Sequence, residues 1–236
     1  MVRWIQRLLF GVGFVILGYC GAYYVNTHLQ QKYGNRELDR LLSNREVPGP
    51  KPAVRSIPEG ELVGRVEIPK LHFSAVVFQG TDNNVLDRGV GHLDGSALPG
   101  QPGNVVLAAH RDTFFRSLRN IHTGDTVDVT TPDGARSYTV DSTTIVDPTQ
   151  TSVMAPTPTP SLTLITCYPF YFVGHAPKRF IVRAHDTQYD VKNNKAAAQT
   201  QLVAANEKPE IKPEIITARL SDQDAENLTY VFNASE

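Results

Sequence analysis

Between Leu62 and Ala184 the apolar residues come in short runs that stop at turns: ELVGRVEIP, SAVVFQG, NVVLAAH, TVDVTTPDGARSYTV, SLTLITC and RFIVRA. Runs of this length, rich in Val, Ile, Thr, Tyr and Phe, are too short for amphipathic helices and suit a pleated surface. Their spacing and the Pro-Asp-Gly turn inside 126–140 predict a mostly antiparallel β-barrel or sandwich. Helical periodicity is scarce in this region; Asn83 to Arg88 and Asp112 to Arg119 are the segments expected to form short helices or turns. With 236 residues, 41% of them hydrophobic, the chain can bury one ordinary core and still carry extensions. A formal charge of −1 and the lack of a basic run argue against nucleic acid as a partner, because neutralising phosphates needs clustered Lys and Arg.

The extensions have their own character. Leu8 to Val25 carries no charged side chain and follows Arg3 and Arg7. As a helix rising 1.5 Å per residue, that run and its aromatic flanks match a hydrocarbon layer of roughly 30 Å, with Trp4, Tyr23 and Tyr24 at the interfaces. The positive-inside tendency puts the N-terminus in the cytosol and the rest of a single-pass chain outside the cell membrane. Cleavage is disfavoured, since Ala22-Tyr23-Tyr24 is a poor signal-peptidase context and the bulky Tyr19 precedes Cys20 where a lipoprotein signal needs a small residue. Residues 1–28 are therefore expected to be a cytoplasmic N-terminus and transmembrane signal anchor. Residues 29–60 read as a juxtamembrane helix on Leu38, Leu41 and Leu42, weakened by Gly34, followed by a Pro-rich linker. The folded domain is expected over 61–186, and 187–236 as a polar extension with a late apolar group (Ile215, Ile216, Tyr230, Val231, Phe232) that could add a strand.

Once Cys20 is assigned to lipid as a small packing residue, Cys167 is the one thiol outside. In an oxidising compartment it has no intramolecular partner, so its presence asks for a chemical reason. In 162-LTLITC-167, Leu162, Leu164 and Thr166 share one face of a strand and Thr163, Ile165 and Cys167 the other, with Cys167 at the strand end before Tyr168-Pro169. A rigid strand end that still exposes its sulfur suits a nucleophile. His110 repeats the geometry by closing the buried-looking run 105-VVLAAH-110, whereas His72, His92, His122, His175 and His185 sit at turns or less apolar ends where a solvated histidine is the default. In 179-RFIVRA-184, Arg179 and Arg183 share a face, and either guanidinium could donate to an oxyanion.

Together LAAH, TLITCYPF and PKRFIVRA, in that order, resemble the sortase family of cysteine transpeptidases, and the Cys-Tyr-Pro sequence resembles class D. The likeness extends over about 62–185 and includes GRVEIPKL, RGVGHLDGSALPGQPGN, HRDTFFRSLRNIHTGDTV and SYTV. It implies an eight-stranded β-barrel with short helices, Cys167 as nucleophile, His110 as acid and base, and Arg179 rather than Arg183 at the oxyanion. Thr166 matches a family threonine that orients substrate or lines the oxyanion site. The implied reaction cleaves a Leu-Pro-x-Thr-Gly-like sorting signal between Thr and Gly, through a thioacyl enzyme resolved by an amine such as a peptidoglycan precursor. The implied partners are secreted proteins with a C-terminal sorting signal, and membrane lipid around the N-terminal helix.

Competing readings are a secreted cysteine hydrolase and a tethered scaffold with an inert thiol. A metal on His92, His110 and Cys167 has no supporting ligand spacing. Asp82, Asp87 and Asp94 form no recognised calcium loop, so the sequence predicts no metal site, no required cofactor and leaves calcium dependence open.

Overall fold

The computed structural model describes residues 2–43, 57–171 and 174–191. Most of the Pro-rich linker and the late apolar group of the extension lie outside the described residues. Eight strands close into a barrel: β1 (Leu62–Ile68), β2 (Phe73–Gln79), β3 (Val90–His92), β4 (Asn104–Ala108), β5 (Thr126–Thr131), β6 (Gly134–Val146), β7 (Ser161–Tyr168) and β8 (Lys178–Asp186). Around the barrel they run β1-β2-β3-β4-β7-β8-β6-β5. Pairing is antiparallel except between β2 and β3 and between β4 and β7. The expected turn Pro132-Asp133 joins β5 to β6, with Thr131 opposite Gly134.

The barrel interior is filled by the inward residues of each strand: Val66 and Ile68, Ala75 and Val77, Val105 and Leu107, Val127 and Val129, Leu162 and Leu164, Val182 and Ala184. Tyr138 is fully buried among them, and burial pushes its phenol pKa up. Phe115 and Leu118, from a short 3-10 helix over Phe114–Asn120, close one end. Full burial of such a side chain stabilises by about 1.5–3 kcal/mol, so these residues set the fold.

An α-helix, α1, runs unbroken over Val2–Ser43, about 63 Å at 1.5 Å per residue. Its apolar first half leaves Leu8, Phe10, Phe14, Leu17 and Cys20 exposed, and it is long and apolar enough to cross a membrane. Its second half docks on the barrel along Thr27, Gln31, Gly34, Leu38 and Leu42, one stripe of the helix. Gly34 marks the closest approach, because a Cβ there would lie 2.8 Å from Val76 Cγ1. The expectation that Gly34 weakens the helix misses this: glycine costs helix propensity but admits β2. Gln31 completes the seam by donating to Arg88 O at 2.6 Å and accepting from Val76 N at 2.8 Å.

That seam explains why β2 reads as a continuous apolar run. Ala75 and Val77 face the interior, while Val76 and Phe78 form a second cluster with Val85 on the outer side. Val85 belongs to a one-turn helix, α2 (Asn83–Leu86), capped by Asp82, whose carboxylate accepts from Val85 N at 2.9 Å.

Candidate active site

The parallel pairing of β4 with β7 decides what meets at the barrel rim. Ala108 lies beside Ile165, and just beyond the ladder Ala109 N donates to Ile165 O at 3.2 Å. Two residues further along each chain come His110 and Cys167, so the two expected strand-end residues sit side by side. On the other flank of β7 the antiparallel register with β8 sets Cys167 directly across from Arg179. One cleft of about 340 Å³ is lined by Cys167, His110 and Arg179 together with Arg111, Asp112 and His175.

Each side chain has a local hold. Thr166 is 2% exposed and its hydroxyl donates to Ala109 O at 2.7 Å, which ties the segment carrying His110 to the segment carrying Cys167. It lies behind the cleft. Nη1 of Arg179 donates to Ala176 O at 3.2 Å and Lys178 O at 3.0 Å, which fixes the guanidinium at the start of β8. Arg183 sits further along the strand and donates through Nη2 to Val153 O at 3.0 Å, bracing the connection into β7. Nε2 of His110 lies 3.5 Å from Asp87 Oδ1. After Cys167 the chain leaves through the cis Tyr168–Pro169 bond, and Tyr168, Phe170 and Phe180 form an aromatic cluster with centroids 5.3–6.4 Å apart.

The other candidates separate cleanly. His92, expected to be solvated, is 2% exposed: Nδ1 meets Gln79 Oε1 at 2.9 Å and Nε2 meets Ala97 O at 2.9 Å. Burial lowers its pKa, which favours a neutral ring in a structural network. His72 caps a 3-10 turn in the left-handed region, and His185 pairs with Asp141 at 2.5 Å. His175 is exposed as expected, and it also borders the cleft; its one sequence signal is its place in the turn that follows the cysteine. Of the calcium candidates, Asp82 caps α2, Asp94 accepts from Gln79, and Asp87 faces His110. A larger open cavity of about 810 Å³ borders the β3–β4 connection and reaches Asn104 at the start of β4.

The family model for the Sortase domain matches residues 66–187. Sortase D of Bacillus subtilis is 33% identical over 192 residues, which cover 77% of this chain and 97% of that protein. Sortase C1 from Streptococcus suis superposes with a TM-score of 0.51 at 30% identity, over 66% of this chain and 80% of that one. A Clostridium perfringens Sortase D5 transpeptidase gives a TM-score of 0.57 over 66% and 98% of the two chains, at 22% identity, a likeness of fold. The chain belongs to the sortase family. Its enzyme class is that of a sortase transpeptidase, and the Bacillus relative supports assignment to class D.

Proposed function

We propose that the chain is a membrane-anchored sortase whose nucleophile is Cys167, acting on a Leu-Pro-x-Thr-Gly-like signal and passing the acyl group to an amine. The observation that carries this reading is the meeting of Cys167, His110 and Arg179, from three separated segments, around one cleft. The Cys167 thiolate attacks the Thr carbonyl carbon, and Arg179 donates to the oxygen as it gains negative charge. A guanidinium has five N–H donors, so Nη1 can stay on the loop carbonyls while others serve the oxyanion. His110 gives a proton to the glycine nitrogen as the C–N bond breaks, leaving a thioester on Cys167. The incoming amine then loses a proton to His110, attacks the thioester carbon and releases the thiolate. Thr166 holds the two strand ends in register throughout.

In this reading residues 1–28 anchor the chain with its N-terminus in the cytosol, 29–60 stand it off the lipid, 61–186 do the chemistry outside, and 187–236 extend from it. Its partners are then secreted proteins with a C-terminal sorting signal and an amine on the cell surface such as a peptidoglycan precursor.

The test is ligation by the full chain in phospholipid nanodiscs, with a set of pentapeptides varied at each position and a soluble amine. Amine-dependent ligation of Leu-Pro-x-Thr-Gly-like peptides, lost on Cys167→Ala, is the expected result. Peptide release that ignores the amine would make the chain a hydrolase, and no turnover by any peptide would overturn the substrate assignment.

A further inference from the structure

We propose that Asp87 is a positioning residue for His110 and that Tyr23 of α1 holds Asp87 in place, so that docking of the anchor helix tunes proton transfer in the cleft. The proposal rests on the role given to His110 above. A single oxygen makes both contacts: Asp87 Oδ1 lies 3.4 Å from the Tyr23 hydroxyl, which donates to it, and 3.5 Å from His110 Nε2. Tyr23 and the imidazole are thus no more than about 7 Å apart. Neither end of this link is loose. Asp87 caps α2, and its N–H donates to Asn83 O and Val85 O. Tyr23 continues the stripe Thr27, Gln31, Gly34 and Leu38 that seats the helix on β2, so the docking contacts also aim the phenol.

The chemistry gives the contact a purpose. A carboxylate beside an imidazole fixes which ring nitrogen faces the partner. His110 must present a ring nitrogen to the departing glycine amine, so the Asp87 carboxylate, 3.5 Å from Nε2, orients the ring for that transfer. Asp87 and His110 are 49% and 35% exposed at their side chains, so solvent screens the interaction and its size is that of a surface ion pair. The other charged or titratable groups facing the ring are Arg111 and Asp112 on its own turn and Cys167, His175 and Arg179 across the cleft.

The experiment compares full-length wild type, Asp87→Asn, Asp87→Glu, Tyr23→Phe and the Asp87→Asn, Tyr23→Phe double variant in nanodiscs, measuring kcat and KM for peptide–amine ligation. For Asp87→Asn, kcat should fall about 2–5-fold with KM unchanged. Tyr23→Phe should lower kcat by less, and the double variant should match Asp87→Asn, because Tyr23 acts through that carboxylate. Asp87→Glu should restore kcat. An Asp87→Asn kcat equal to wild type would overturn the proposal, as would losses at Tyr23 and Asp87 that multiply. His110→Ala separates the two levels: an inactive variant with no effect at Asp87 defeats this inference alone, whereas retained activity defeats the role of His110 as well.

Discussion

Thr166→Val removes one hydroxyl from behind the cleft and little else, since the two side chains are close in shape. The lost bond is 2.7 Å long, from the Thr166 hydroxyl to Ala109 O, and the two residues are 2% and 5% exposed. Losing it should cost about 1–2 kcal/mol, the net value of a buried hydrogen bond plus part of the penalty for weakening a buried carbonyl's pairing. For a domain of this size that lowers Tm by about 3–8 °C in a thermal melt. The effect on rate should be larger than stability implies, because the same bond sets His110 against Cys167. A displacement near 1 Å can cost about 100-fold, so a partial loosening is expected to lower single-turnover acylation of Cys167 about 10-fold. Thr166→Ser keeps the donor and should restore the acylation rate while giving up a methyl group's burial. If Val and Ser variants acylate at the wild-type rate, the hydroxyl does not hold the strand ends and the reasoning is wrong.

Arg179→Ala should lower acylation about 100–1,000-fold, as loss of an oxyanion donor does, whereas Arg183→Ala should stay within a few-fold; rapid-quench kinetics on both decide between them. Gly34→Val should undock α1, since its Cβ would start 2.8 Å from a fully buried, stiff Val76, and hydrogen exchange in residues 73–79 should rise by mass spectrometry. Asp125 should confer a pH-dependent part of stability. Burial pushes its carboxyl up, but the 2.6 Å bond from Lys70 and the His122 N–H outweigh that and hold its pKa below the usual range. Stability from this group is therefore present above the unfolded value of about 3.9 and is lost as pH falls through the lower folded value. In urea melts the gap between wild type and Asp125→Asn should narrow below about pH 4.

How far the sequence could be read depended on the range of the contact. The core face of β7 followed from its period of two, because Leu162, Leu164 and Thr166 are buried; Thr163 on the other face is buried as well, donating to Asn104 Oδ1 at 2.8 Å, which alternation alone did not signal. Cys167 and His110 stood out as polar, reactive residues closing apolar runs, a local signal too. The parallel pairing of β4 and β7 that makes them neighbours left no such trace, since an apolar run looks the same beside either kind of partner. Gly34 carried only its propensity cost, while its value as a gap for Val76 depends on a strand 42 positions away. His92 departed from expectation for the same reason, because Gln79 and Ala97 surround it, while His175 stays exposed as its turn suggested and borders the Cys167 cleft besides. The long helix merged two expected segments because Gln31 and Leu38 continue the seam past the apolar run.

In the proposed function one sulfur carries the acyl group, with an imidazole and a guanidinium beside it. The most direct measurement of this is peptide mapping by mass spectrometry after mixing the full chain with a Leu-Pro-x-Thr-Gly peptide and no amine. The account predicts a thioester adduct ending in Thr, confined to Cys167, discharged by hydroxylamine and strongly reduced in His110→Ala and Arg179→Ala. An adduct on another residue, or undiminished labelling of Cys167 in both variants, would contradict it.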